Sequence, residues 1–211
     1  NFIAIATEAI LGITQTQEYQ TLEFDYVGVK SPQFSYNRLK GADPVAGVEM
    51  ASTGEVACFG SSLSEAYYRS WLATAQDIKI KSIFLSLPDS QKHKFVAETA
   101  KLVADGWTIY TTSGTHDYLK EQGVATKRLH KIIEKTEPSI ESAMTSQQIG
   151  LVVSVPSSMS DSHDAYVIRR LAIDSHIPLV TNAETGRLLL GCLGNDELLA
   201  GEPKAWQEYV T

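Results

Sequence analysis

From Ile80 onward the chain alternates short apolar runs with amphipathic stretches of helical length, a rhythm that restricts this part to a parallel sheet with crossover helices. Strands are expected at Ser82 to Leu87, Thr108 to Thr112, Thr126 to Leu129, Gly150 to Val155 and Leu179 to Asn182. Between and after them, helices are expected at Lys92 to Asp105, Thr115 to Gln122, Pro138 to Gln147, Asp164 to Ser175 and Ala183 to Leu193. The punctuation agrees: Gly106 and Gly123 stop helices, Pro138 suits a first helical turn, and Pro178 opens a strand where a missing donor is tolerated. Five strands joined by right-handed crossovers make a doubly wound α/β domain.

The residues ahead of that domain read differently. A helix is expected over 2–11, a strand around Tyr26 to Phe34, a turn at Gly41-Ala42-Asp43-Pro44, and a strand around Val48 to Phe59. A helix capped by Ser62 or Ser64 then carries Tyr67, Tyr68, Trp71 and Leu72 on one face. Two strands and two helices in this order close no sheet, so this α+β part needs packing from elsewhere. The chain opens in mid-helix with no initiator Met, basic leader or apolar signal core, which reads as a piece excised from a longer protein.

Charge and cysteine usage narrow the function. Eighteen basic against twenty-five acidic side chains give a net charge of -7, which repels a phosphate backbone, so nucleic acid is not an expected partner. Cys58 and Cys192 lack the close Cys or His neighbours of a zinc site and read as buried thiols in a reducing compartment. No stretch approaches the ~20 apolar residues of a membrane span.

In a sheet of this kind ligands bind beyond the carboxyl ends of the strands. There the run Thr112-Ser113-Gly114-Thr115 leads into a helix whose free amides favour an anion, and Lys92, after the loop Pro88-Asp89-Ser90-Gln91, and Lys131 stand after the first and third strands. The same residues also describe a helix cap and two solvated lysines. Asp161-Ser162-His163-Asp164 has the composition of an acid–base site, yet it equally caps the helix that follows. Glu49 and Glu55 flank Ser52-Thr53-Gly54, and the Thr53-Gly54 pair is expected to form a hairpin turn. His176, near a helix end, suits the helix dipole. No Walker-type loop and no Ser-His-Asp or Cys-His arrangement is present, so catalysis by this chain alone is not expected.

Phe34-Ser35-Tyr36-Asn37-Arg38-Leu39-Lys40-Gly41-Ala42-Asp43-Pro44, with the run Gly47-Val48-Glu49-Met50-Ala51-Ser52-Thr53-Gly54-Glu55-Val56-Ala57-Cys58-Phe59-Gly60, closely resembles the large chain of carbamoyl-phosphate synthetase. The resemblance covers nearly the whole chain. It implies that residues 1–76 end the second ATP-grasp unit and that residues 77–211 form a methylglyoxal-synthase-like domain that binds allosteric effectors. The intact enzyme of that family makes carbamoyl phosphate from bicarbonate, glutamine-derived ammonia and ATP. It uses Mg or Mn, and its ATP and metal ligands lie upstream of Asn1, so no cofactor is implied in this piece. The implied partners are a small anionic effector, the rest of the large chain and the glutaminase chain, in an oligomer. A cytoplasmic location is implied, with the mitochondrial matrix as the alternative.

Residue by residue, the resemblance places the effector's phosphate on Lys92, Thr112, Thr115 and Lys131. Ser154 and Ser157, after the fourth strand, and Asn182, after the fifth, complete the expected effector set. Nucleotide-binding members carry an Asn followed by Thr residues where this chain has Ser154-Val155-Pro156-Ser157-Ser158. Members activated by N-acetylglutamate carry several asparagines there and a Trp near His130, so acetylglutamate recognition is not expected. Arg169 and Arg170 resemble the family's paired arginines, one to meet a carboxylate or the effector loop and the other to stay solvated. The signal is expected to pass through a hinge near residues 76–82. The stretches Asp164 to Arg170 and Pro178 to Asn182 look eukaryotic and favour arginine biosynthesis over pyrimidine biosynthesis. Two other readings stay open: a structural tail with a decayed effector site, and a methylglyoxal synthase, whose Gly-Gly-Asp motif is replaced here by His130-Lys131-Ile132-Ile133.

Overall fold

The computed structural model describes residues 2–13, 23–45, 51–74, 76–157 and 163–209. The chain begins with helix α1 (Phe2–Ile10), followed by an antiparallel pair, β1 (Val27–Gln33) and β2 (Gly54–Gly60), and helix α2 (Leu63–Ala73). Ser62 caps α2 by accepting from the Glu65 amide, so the first of the two expected caps is used. Gly60 sits so close under α2 that a Cβ there would lie 2.5 Å from the Ala66 nitrogen.

The sheet domain follows as β3 (Ser82–Ser86), α3 (Asp89–Lys92), a 3-10 turn over 93–95, α4 (Val96–Ala104), β4 (Thr108–Thr111) and α5 (Ser113–Glu121). It continues with β5 (Lys127–Arg128), a 3-10 turn over 132–134, α6 (Ile140–Thr145), β6 (Leu151–Ser154) and α7 (His163–Asp174). The last elements are β7 (Leu179–Val180), α8 (Ala183–Leu193), α9 (Asp196–Ala200) and a 3-10 turn over 206–208. All five strands of this sheet run parallel in the order β5-β4-β3-β6-β7, which is the doubly wound α/β fold read from the sequence. The central strands β3 and β6 are buried on both faces, as their continuous apolar runs require. The edge strand β5 is short, exposed and charged, a composition that discourages edge-to-edge pairing.

Because side chains alternate along a strand, each face of the sheet has its own core. Ile83, Leu85, Leu151 and Val153 point to one side, against Phe95, Leu102, Leu119 and Leu189, and there Tyr67 and Trp71 of α2 join them. Phe84 and Val152 point to the other side, against Ile140, Met144, Ile168 and Ala172 of α6 and α7. The packing expected from elsewhere in the chain is therefore real: α2 completes one face of the parallel sheet. Helix α1 leaves Ile3 and Ile10 exposed, and Leu11 just after it is exposed too. No helix among the described residues is long and apolar enough to cross a membrane.

Several boundaries differ from the sequence reading, for local reasons. The helix expected from Lys92 starts at Asp89, because Pro88 (ψ 153°) sets up the turn, and it is broken into α3, a 3-10 turn and α4. The helix expected from Thr115 starts at Ser113, with Thr112 as its N-cap. Pro138 lies outside the helix it was expected to open. Its peptide bond with Glu137 is cis, and Ser139 caps α6 in a reciprocal arrangement with Ser142. Thr53-Gly54 is not a hairpin turn, since Gly54 opens β2 opposite Gln33 and the connection from residue 34 to residue 53 is long. The Thr53 amide donates to the Gln33 carbonyl at 2.8 Å, which closes the ladder there. Glu49, Ala75, Ser158, Asp161, Ser162 and the first part of the strand expected from Val48 lie outside the described residues.

Candidate functional site

Strand order reverses between β3 and β6, so the crevice beyond their carboxyl ends is where this fold takes a ligand. Ser86 and Ser154 end these strands in register, and the Val155 amide donates to the Ser86 carbonyl at 3.0 Å. Ser154 is buried, whereas Ser157 is exposed.

Next to this crevice the structure brings together three of the expected residues. Thr112 is the N-cap of α5 with its side chain free of any capping bond, and its backbone carbonyl accepts the His116 amide at 2.8 Å. Its hydroxyl lies 3.3 Å from that of Thr115, which also accepts from the Leu87 amide at 3.3 Å. These are long bonds that another acceptor can replace. Lys92 reaches in from α3. Its side chain is 8% exposed, and its ammonium donates to the Gly114 carbonyl at 2.7 Å and to the Asp89 carboxylate at 2.5 Å. A Cβ on residue 114 would lie 3.1 Å from that ammonium, so a larger residue there would push the lysine tip back by a few tenths of an ångström. The lysine's hydrogen bond holds the Asp89 carboxyl below its ordinary range. A buried cation, two hydroxyls and the first-turn amides of a helix are together the chemistry of an anion cradle.

The remaining expected residues are distributed along the same edge. Lys131 pairs with Asp164 of α7 at 3.4 Å. Beside this pair is a cavity of about 280 Å³ walled by Ile132, Ile133, Val167 and Ile168. Neither lysine bonds to the other's partners among the described residues. Asn182 is engaged as the N-cap of α8, where its Oδ1 accepts from the Glu184 and Thr185 amides at 2.9 and 3.1 Å. Sequence reasoning missed Asp89 and the Gly114 carbonyl. The signal for Asp89 was its i,i+3 spacing to Lys92, legible only once residues 89–92 are helical.

His163 opens α7 with its ring near Tyr166, and the capping candidates Asp161 and Ser162 lie outside the described residues. No group of three His, Cys, Asp or Glu side chains among the described residues is placed to hold a metal ion. A larger cavity, about 620 Å³, lies where the N-terminal part meets α7 and β7, with Tyr36, Asp77, His176 and Thr181 among its walls. His176, in the left-handed region at φ 56°, follows two residues after the end of α7.

Residues 94–181, which hold β4 to β7, match the MGS-like domain family. The chain thus carries an MGS-like domain with a small α+β unit packed on it. It is 41% identical over 209 residues to the multifunctional protein URA2 of Saccharomyces cerevisiae, covering 93% of this chain and 9% of that protein. It is also 41% identical over 202 residues to the multifunctional protein pyr1-3 of Dictyostelium discoideum, covering 92% of this chain and 9% of that one. The mitochondrial carbamoyl-phosphate synthase [ammonia] of Homo sapiens is 36% identical over 199 residues, covering 89% and 13%. The chain belongs to the carbamoyl-phosphate synthetase large-chain family, in its C-terminal region. It spans about a tenth of the length of these relatives.

Proposed function

We propose that this chain is the allosteric, effector-binding region of a carbamoyl-phosphate synthetase large chain, and that its ligand is a small anion held by Lys92, Thr112 and Thr115. The observation that carries this reading is a lysine ammonium buried at the first turn of α5, beside two hydroxyls, at the carboxyl edge of a parallel sheet. Lys131 and the apolar cavity next to it would take the rest of the effector, and Ser154, Ser157 and Asn182 would border it. The whole enzyme would use ATP with Mg or Mn, would work with a glutaminase chain in an oligomer, and would serve arginine biosynthesis in the cytoplasm. Regulation works by linkage: the effector shifts the synthetase only as far as its affinities for two conformations differ.

The test is a thermal-shift panel of UMP, UTP, IMP, ornithine, arginine and N-acetylglutamate on the chain and on Lys92→Met and Thr115→Ala. A ligand of the native state must raise Tm, and both variants should lose the rise. N-acetylglutamate is expected to give none, because the asparagines that serve it elsewhere in the family are absent here. A response to UMP or UTP would move the enzyme to the pyrimidine pathway. A structural-tail reading has its own support, since α2 shares the sheet's core and Asn182 is spent on a helix cap. No shift with any ligand at several millimolar would favour it.

A further inference from the structure

The anion cradle is already occupied by an anion of the chain itself. Lys92 has three donors, and one of them goes to the Asp89 carboxylate one helical turn earlier. The two partners differ sharply in setting: the lysine side chain is 8% exposed and the aspartate 97% exposed. The carboxylate therefore reaches the ammonium from the solvent side, the side from which any ligand must arrive. We infer that Asp89 is a built-in competitor for the Lys92 ammonium, and that it makes the site select doubly charged phosphate groups over single carboxylates. The inference rests on the anion-site reading above.

The discrimination follows from exchange. A carboxylate ligand swaps one carboxylate for another, and it competes against a rival held at high effective concentration by three residues of helix. A phosphate monoester brings close to two charges and three acceptor oxygens. It can displace Asp89 and still reach the Thr112 hydroxyl, whose present bond to the buried Thr115 hydroxyl is long. Displaced, Asp89 returns to water at little cost because it is exposed already.

Inorganic phosphate and acetate, titrated at constant ionic strength and read by Tm and calorimetry, provide the test on the whole chain. Asp89→Asn should bind phosphate about fivefold more tightly, the scale of an exposed ion pair. It should also gain measurable acetate binding that the unaltered chain lacks. Asp105→Asn makes the same charge change at the opposite edge of the sheet, just before β4, and should leave both affinities unchanged. Adding Lys92→Met to Asp89→Asn should abolish the gain. If the unaltered chain binds phosphate and Asp89→Asn binds it equally or more weakly, Asp89 merely holds the lysine in place and the inference falls while the anion site stands. If neither protein binds phosphate, the anion site itself is wrong and the inference falls with it.

Discussion

The N-terminal unit is joined to the parallel sheet by two seams of opposite character. At the first, α2 lies on α8 with Tyr67 and Trp71 inserted into the sheet's core, and the polar contacts are sparse. The Tyr67 hydroxyl donates to the Thr185 carbonyl at 3.3 Å, and the Cys192 thiol approaches the Ser64 carbonyl at 3.5 Å. At the second, α7 presents two buried arginines to the loop over residues 36–43. Arg169 donates to both Asp43 oxygens at 2.8 and 2.6 Å. Arg170 donates to the Tyr36, Leu39 and Ala42 carbonyls at 3.1, 3.1 and 3.2 Å. The apolar seam adheres without direction, whereas the ionic one fixes a single geometry. The segment over 76–82, where a hinge is expected, is thus not the sole connection between the two parts. One stiff helix carries Lys131's partner Asp164 in its first turn and the clamp arginines little more than a turn later.

The apolar seam should dominate stability. Trp71→Ala is expected to cost about 3–5 kcal/mol in urea unfolding, the range for emptying a buried aromatic site. Because its core is shared, the N-terminal unit and the sheet should unfold in one transition. Two separated transitions in the unaltered chain would show that the seam is weaker than its packing implies. The clamp ranks second: Asp43→Ala strips the carboxylate from a guanidinium that is 1% exposed, and it should cost about 2–3 kcal/mol, below the fully buried case because Asp43 is itself 40% exposed. If Asp43→Ala proves the more damaging of the two, the ranking is reversed.

Most of the sheet was legible, because a strand buried on both faces leaves an unmistakable apolar run: β3 and β6 fall within a residue of expectation, and α8 covers Ala183–Leu193 as read. What stayed hidden was contact between distant segments. One of Arg169 and Arg170 was expected in water, yet both are buried, and Arg170 serves three carbonyls more than a hundred positions away, which nothing local encodes. Thr53-Gly54 failed for a related reason, since the same pair suits a tight turn or the start of a strand, and the partner Gln33 decides. At the candidate site, residue type pointed to Lys92, Thr112 and Thr115, which the structure brings together. It did not say that Asn182 faces its own helix amides or that Lys92 already holds Asp89.

The third prediction separates the seams by pH. Burial pushes the Cys192 thiol from its ordinary 9.0 up to about 11 and raises Tyr67 as well, so in the apolar seam both groups hold their protons more tightly folded than unfolded. That contribution is whole below the unfolded values and is lost as the pH climbs from about 9 through 11. The clamp works in the other direction. Hydrogen bonds from Arg170 hold the Asp174 carboxyl below its ordinary 3.8, so its contribution is present above that value and disappears as the pH falls through the lowered one. Tm profiles should show Cys192→Ala flattening the alkaline limb and Asp174→Asn flattening part of the acid limb. Each should leave the other limb unmoved. A variant that altered both limbs equally would mean the seams are one cooperative contact.

The smallest expected effect tests geometry rather than charge. Arg170→Lys keeps the cation and the pairing with Asp174 within reach, but an ammonium on a flexible stem cannot present the flat fork that serves three carbonyls and a carboxylate together. Each lost bond leaves a carbonyl of the 36–42 loop to find water, and the loop is partly exposed, so the net loss should be about 1 kcal/mol. Hydrogen exchange adds what Tm cannot: amides of the 36–42 loop, including the Arg38 and Leu39 turn bonds, should exchange faster while those of α2 and α8 stay protected. The same acceleration in α2 would mean that the clamp holds the apolar seam shut. In that case the directional contact would govern the adhesive one, and the order of the first two predictions would have to be exchanged.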